Sequence, residues 1–240
     1  MTPRLRLRRA PERPERPPVG YKIAHAMLSA DGSRVGFRGV SLGSDIVYGP
    51  IDEAECAYGR RHRAPSRWCA CGFYALHRDL DAIELTCATE YRNAVLLEVL
   101  VLGRYERHER GLRFERQRVT RVAVGRCACG LPAQGLTDSG EGIPGWRALV
   151  SVCGECVGHR PWLEFAAYAQ RAGGRLVAVC DDRLPPTTSH VQPAAGTAPA
   201  PFPTVDDDAL VPQLAAEAAL LQARLDWFQV QLARLTGEAG

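Results

Sequence analysis

Residues 56–71 read CAYGRRHRAPSRWCAC, and their reading decides the rest. Cys56, His62, Cys69 and Cys71 fall within sixteen residues, and the stretch runs directly into Gly72-Phe73-Tyr74. Three thiols and an imidazole at this spacing are the donor set of a tetrahedral Zn²⁺ site, provided the backbone turns tightly between them. Pro65 and Ser66 favour a turn before Cys69, and Gly72 can take the positive φ that a C-x-C knuckle requires. Cys87 is the substitute if one of the four is not a ligand.

A second set follows. Cys127-Ala128-Cys129-Gly130 and Cys153-Gly154-Glu155-Cys156 enclose a glycine-rich loop, 134–145, and a strand over Trp146–Val152, an arrangement like a zinc ribbon. It departs from the commonest ribbon in its C-x-C first pair and its longer gap, and His159 is an alternative donor. Four thiolates leave no open position, so this metal is expected to be structural. Two Zn²⁺ per chain are therefore predicted, at Cys56, His62, Cys69 and Cys71, and at Cys127, Cys129, Cys153 and Cys156.

Bulk properties narrow the class. The chain has 240 residues, 46% of them hydrophobic and 24% charged, which is ordinary for a globular protein with a real core. Its net charge of +3 is uneven: residues 1–20 carry six arginines against Glu12 and Glu15, so the remainder is close to neutral. Charge alone does not imply a nucleic-acid surface. No apolar signal region follows the Arg/Pro-rich start, and Glu98 interrupts the longest apolar run. A cytoplasmic setting is expected, where clustered cysteines point to metal before disulfides. Lys22 is the single lysine, which the abundance of Ala, Gly and Pro attributes to GC-rich codons.

Between the clusters the pattern is mostly β. Asp31-Gly32 between Tyr21–Ser29 and Arg34–Arg38 marks a hairpin, and Ile46–Tyr48 a short strand. Ile51–Tyr58, with Asp52, Glu53 and Glu55 near its start, reads as a short helix carrying Cys56. Leu76–Thr89 is helical in part, Ala94–Leu102 is a buried strand, and Leu112–Val124 returns as a long strand. In that return strand Arg116 and Arg118 share the parity of Leu112 and Phe114, so it is expected to bend, bulge or project beyond the core. Pro161 is placed to open a helix with Trp162, Phe165, Ala166 and Ala169 on one face, before Gly173-Gly174 and a strand over Arg175–Cys180.

The order Gly20-Tyr21, Gly49-Pro50, Ala54 then Cys56, His62-Arg63-Ala64-Pro65 and Cys69-Ala70-Cys71-Gly72-Phe73-Tyr74-Ala75 is similar to a group of small, functionally uncharacterised cysteine/histidine proteins of actinobacteria and their phages. Leu97–Gly103 and His108-Glu109-Arg110-Gly111-Leu112-Arg113 fit the later part of that pattern. The resemblance covers roughly residues 20–125. It implies a shared fold and a first metal site, and supplies no activity.

Beyond residue 183 the composition changes. Residues 184–205 hold six prolines and read as a linker. Val211, Leu214, Ala218, Leu221, Leu225, Phe228, Leu232 and Leu235 then recur at three- and four-residue intervals, a coiled-coil seam. The expected class is α+β: mostly antiparallel β zinc-binding domains with short helices, plus a C-terminal coiled-coil helix. Its parts are a disordered tail (1–20), a β-rich domain (21–125), a zinc-ribbon-like module (126–183), the linker (184–205) and the helix (206–240).

The functional expectation is a non-catalytic zinc-binding adaptor that self-associates or docks on another protein through Leu214, Leu221, Leu225, Phe228, Leu232 and Leu235, with no membrane partner. The alternative is a nucleic-acid-binding regulator using Arg60, Arg61, Arg63 and Arg67 with the arginine-rich hairpin 104–126. Catalytic motifs fit poorly. Gly39-Val40-Ser41-Leu42-Gly43 matches a nucleophile elbow but leads into another β-like run. His108-Glu109 has no second histidine at zincin spacing, and no H-x-E precedes Cys153 as a zinc deaminase needs. An enzyme reading would need one site with three protein ligands and a water.

Overall fold

The computed structural model describes residues 16–40, 46–56, 58–66, 68–88 and 91–188. Strand β1 (Val19–Ser29) is the one on which the sheet is laid out. Its alternate residues serve two cores: Ala24, Ala26 and Leu28 enter the main cluster, while Ile23 and Tyr21 face a smaller one. A strand buried on both faces reads as an almost unbroken apolar run, and residues 23–28 do.

The Asp31-Gly32 hairpin forms as its sequence implies. The Asp31 carboxylate accepts from the Ser33 backbone N–H at 3.1 Å and from its hydroxyl at 2.7 Å, and Gly32 sits at φ 73°. Strand β2 (Val35–Gly39) returns with Phe37 opposite Ala26, and β3 (Val47–Tyr48) pairs outside it.

The helix expected over Ile51–Tyr58 does not form. Residues Ile51–Glu53 are a strand, β4, opposite Arg118, Gln117 and Arg116 of β7 (Gly111–Val124). A short isolated helix gains few internal hydrogen bonds, whereas here Val119 N–H donates to Pro50 and Ala54 N–H to Glu115, both at 2.7 Å. Glu53 and Arg116, opposite each other, add a cross-strand ion pair at 3.4 Å. Cys56 therefore lies on a loop, not on a helix.

Strands β6 (Val95–Arg107) and β7 form the longest hairpin, and its irregularities resolve the parity conflict of the arginines. The register shifts between Glu98 and Val99 and again between Leu102 and Tyr105. Leu112 and Phe114 are buried, then Gln117 and Val119, then Val122 and Val124, so the inward parity changes twice and leaves Arg116 and Arg121 outside. Gly103, at φ 71°, sits in the second shift.

Strand β5 (Phe73–Leu76) pairs with β7 and, through Leu76 opposite Tyr21, with β1. Because β6 also joins β1 to β7, the ladder closes on itself through β1, β6, β7 and β5. Closure needs bare backbone: a Cβ on Gly20 would lie 2.7 Å from that of Ala75, and one on Gly111 2.3 Å from the Ala75 carbonyl oxygen. Helix α1 (Asp79–Glu84) covers the smaller core through Ala82.

The second cysteine segment is built onto the same sheet. The loop expected over 134–145 is largely a strand, β8 (Gly135–Ile143), hairpinned to β9 (Trp146–Val152), and β9 pairs with β1, Leu149 opposite Ala26. Gly140 and Gly145 turn the chain at φ 83° and 81°, Gly135 and Gly142 lie in the ladder opposite Val152 and Arg147, and Leu136 and Thr137 are buried. After the single turn α2 (Gly154–Val157), Pro161 opens no helix. Trp162–Glu164 form β10 against β8, and α3 spans Phe165–Arg171, stopped at Gly173 and Gly174 with positive φ. Strand β11 (Val177–Cys180) lies parallel to β7, and the fully buried Tyr168 seats α3 on the main core.

The α+β expectation is corrected accordingly. The described residues form one eleven-stranded, mostly antiparallel sheet with helices of only four to seven residues. The expected C-terminal coiled-coil helix, with Leu214, Leu221, Leu225, Phe228, Leu232 and Leu235, falls on residues outside the described ones, as do Arg67, Ser41–Gly43, the first fifteen residues and most of the expected linker. Among the described residues no helix is long and apolar enough to cross a membrane.

Candidate metal centres

The fold brings both predicted ligand sets together. In each group of four, one donor atom per residue lies within 4.8 Å of the other three: Cys56, His62, Cys69 and Cys71 in the first, Cys127, Cys129, Cys153 and Cys156 in the second. A tetrahedral zinc with Zn–S bonds of about 2.3 Å sets its sulfurs about 3.8 Å apart. The Cys56–Cys69 separation is 3.7 Å and the Cys129–Cys153 separation 3.6 Å. The His62 ring stands 3.8 Å from Cys71 Sγ through Nδ1 and 3.9 Å through Nε2. Donor identity, number and spacing thus fit a tetrahedral cation at both places. The alternatives are left out: Cys87 and His159 are exposed and belong to neither group. Cys180 accepts from Ala133 N–H at 3.4 Å instead.

The first centre sits on a segment with almost no regular structure. Its turns are held by Gly59 N–H donating to Cys56, His62 N–H to Arg60 and Cys69 N–H to Ser66, with Gly59 at φ 65° and Gly72 at φ 129°. Such a segment leaves backbone carbonyls without ladder partners. Arg113, only 8% exposed, supplies them: its guanidinium donates to the carbonyls of Cys69 and Ser66 and pairs with Glu106 at 2.6 Å. Arg104 donates to the Ala64 carbonyl at 3.2 Å.

A buried carboxylate completes the support. Glu115, 5% exposed, is paired with Arg63 from the loop and lies 3.7 Å from the Arg104 guanidinium, while Arg104 N–H donates to it at 2.9 Å. A Cβ on Gly103 would come within 2.6 Å of this carboxylate, so the bulge glycine makes room for it. Burial pushes the Glu115 carboxyl up, but the Arg104 N–H and the Arg63 guanidinium outweigh it and hold the group below its usual range.

The second centre rests on regular elements. Cys127 N–H donates to Leu131 and Gly130 N–H to Cys127, closing a knuckle with Gly130 at φ 86° just after β7. Cys153 follows β9 and caps α2, its sulfur accepting from Cys156 N–H at 3.4 Å. Cys127 and Cys153 are buried against Val152 and Val157, with Trp162 packed on them, while Cys129 and Cys156 are exposed.

Electrostatics divide the thiols alike in both centres. Burial raises Cys56, but hydrogen bonds from the Arg60 and Tyr58 backbones outweigh it and draw the thiol down to about 7. Burial likewise raises Cys153, and the Cys156 N–H with its neighbouring thiols draws it down to about 7. Burial and the adjoining sulfurs push Cys71 up, and the adjoining sulfurs with burial push Cys156 up. Clustered thiolates repel one another, so full ionisation requires a cation among them.

The arginines proposed for nucleic acid divide differently. Arg63 is committed to Glu115, Arg60 stacks on Tyr58 with its guanidinium carbon 5.8 Å from the ring centre, and Arg61 is exposed. In the 104–126 hairpin Arg113 is buried and Arg116 and Arg126 are paired with Glu53 and Asp182. Sequence reasoning missed the roles of Arg63, Arg113 and Glu115. The one local signal was Gly103, a glycine breaking an apolar strand, which marks a bulge or a close approach. Compared with protein-family models, curated proteins and solved structures, the chain matches none.

Proposed function

We propose that the chain is a zinc-dependent binding scaffold in which both metals are structural. The observation that carries this reading is that each centre has four protein donors drawn to mutual distances a tetrahedral Zn²⁺ would span. A closed set has no position for a water or substrate, so neither metal supplies Lewis-acid chemistry. Cys and His donors suit zinc above the hard cations, which take oxygen ligands.

The partner is a protein, a second copy or a different chain. The first loop carries large exposed side chains beside its ligands, with Trp68 86% and Tyr58 51% exposed. Aromatic residues held on a rigid base dominate the energetics of protein interfaces. A metal that fixes this loop would also fix that surface. The nucleic-acid alternative is weakened by the ion pairs that already engage Arg63, Arg116 and Arg126.

Cobalt substitution tests the closed geometry. Co²⁺ at both centres is expected to give strong tetrahedral absorption with thiolate charge-transfer bands, unchanged by added azide or cyanide. A spectrum that shifts with either anion reveals an exchangeable position and overturns the structural assignment.

A further inference from the structure

We infer that the cavity lined by Lys22 is a binding site for a small, largely apolar aldehyde or ketone, held as an imine on Nζ. The inference does not depend on what occupies the metal centres. Lys22 has the parity of Ala24, Ala26 and Leu28, the residues β1 turns toward the main core, so this chain's single lysine is directed inward. Its Nζ lies 4.4 Å from the centre of the Tyr48 ring and 4.8 Å from that of Phe73, rings that are 5.2 Å apart. Lys22, Tyr48 and Phe73 all line a cavity of about 770 Å³. That is ample for a ligand of one or two rings.

The polar groups around the amine are incompletely satisfied. The nearest acceptor is Gln117 Oε1 at 3.4 Å, and no acidic side chain of the described residues pairs with Nζ or shifts it. Of the acids that line the same cavity, Asp52 accepts from Gly49 and Glu53 N–H groups and Glu53 pairs with Arg116, while Glu55 is exposed. Arg110 and Arg113 also line the cavity, Arg113 being paired with Glu106. Two further groups are buried without a partner in the protein: the Tyr48 hydroxyl, on a residue 7% exposed, and Gln117 Nε2, on a residue fully buried. Buried donors are rarely left unpaired. Of the two residues, Tyr48 lines the cavity, so a ligand carrying an acceptor would satisfy its hydroxyl.

The chemistry selects the ligand class. A buried ammonium with no counter-ion is costly, and the two ring faces offset only part of that cost. Burial accordingly lowers the Lys22 amine to about 7. At pH 7 such a site holds roughly a thousandfold more neutral amine than a solvated lysine does, and a neutral amine is a nucleophile. A carboxylate ligand would require the ammonium form that this site disfavours. A carbonyl requires the free base. The nitrogen lone pair forms a bond to the carbonyl carbon, the two N–H protons pass to the carbonyl oxygen, and that oxygen leaves as water. No oxidant or reductant is consumed, and water reverses the step.

Reductive trapping tests this on the full, zinc-loaded chain. With benzaldehyde and cyanoborohydride at pH 7, a single benzyl adduct is expected at Lys22 by peptide mapping. It should form at least about tenfold faster than on N-acetyl-lysine amide, as a depressed amine pKa requires. Salicylaldehyde, whose hydroxyl can accept from Tyr48, should compete for the same position. Lys22→Met should remove the adduct and leave metal content unchanged. Because mapping is done on the wild-type chain, the result does not depend on whether that variant folds. Adducts confined to the chain's α-amine, or a Lys22 rate equal to that of the free amide, overturn the assignment.

Discussion

The two cysteine centres have the same number of donors at the same spacing, yet the chain holds them in opposite ways. The first closes a sixteen-residue stretch upon itself, and its order comes from side chains of β7 reaching across: Arg113 to two carbonyls and Glu115 to Arg63. The second joins the end of β7 to the end of β9 across a hairpin, with its two inner sulfurs in an apolar cluster. A cation in the first cross-links a loop. A cation in the second cross-links the sheet. Metal loss should therefore have local consequences at one centre and global ones at the other.

The largest expected effect is at the second centre. Cys153 is 3% exposed, caps α2 and belongs to the apolar cluster, so Cys153→Ser removes a metal ligand and disturbs packing together. Zinc binding contributes about 10–16 kcal/mol in isolated finger peptides. Even a fraction of that exceeds the stability of many domains. The variant is expected to lose one zinc and its cooperative thermal transition. Cys69→Ser is expected to lose the other zinc and keep that transition, with amide-exchange protection lost over 56–71 only. Equal behaviour of the two variants would erase the distinction between loop and sheet cross-links.

A smaller effect sharpens the comparison from the support side. Arg113→Ala leaves the Cys69 and Ser66 carbonyls without their donor and should weaken zinc at the first centre by about 10–100-fold, the usual cost of losing a group that orients ligands. Competition with a chelator measures this, and the second centre should be unaffected.

Glu115 gives a pH-dependent test. Its carboxyl is held below the unfolded value, so its contribution is present above that value and lost as pH falls through the folded one. Glu115→Gln should cost about 1–3 kcal/mol near neutrality, the scale of a buried hydrogen-bonding group left unsatisfied. The difference from wild type should vanish in acid. Denaturant melts across pH check the sign. The smallest effect is at Arg60, exposed and stacked on Tyr58: Arg60→Ala should leave both melt and metal content unchanged.

Much of the site was legible in the sequence because tetrahedral ligation imposes short-range spacing. Gly59, Gly72 and Gly130 mark its turns, and the eight residues that the spacing indicates fall into two groups that could each hold a metal ion. The Asp31-Gly32 hairpin is equally local. What was not legible is long-range. Ile51–Glu53 is a strand because residues more than sixty positions away supply its partners, and local acidic residues imitate a helix start. Gly135–Ile143 looks like a loop by glycine content, but Gly135 and Gly142 sit in the ladder where neighbouring backbone approaches closely, only Gly140 takes a turn conformation, and Leu136 anchors the strand in the core. Lys22 was set aside as a residue of composition, although its place in the alternation of β1 already directed it inward. The coiled-coil seam and Arg67 fall outside the described residues.

The central claim is that two zinc ions hold this fold, one per cysteine cluster. Native mass spectrometry with elemental analysis tests it most directly, on the wild-type chain and on Cys69→Ser and Cys153→Ser. Two zinc ions per wild-type chain and one in each variant is the predicted result. A wild-type chain that carries no metal and melts as it does with zinc added would contradict it.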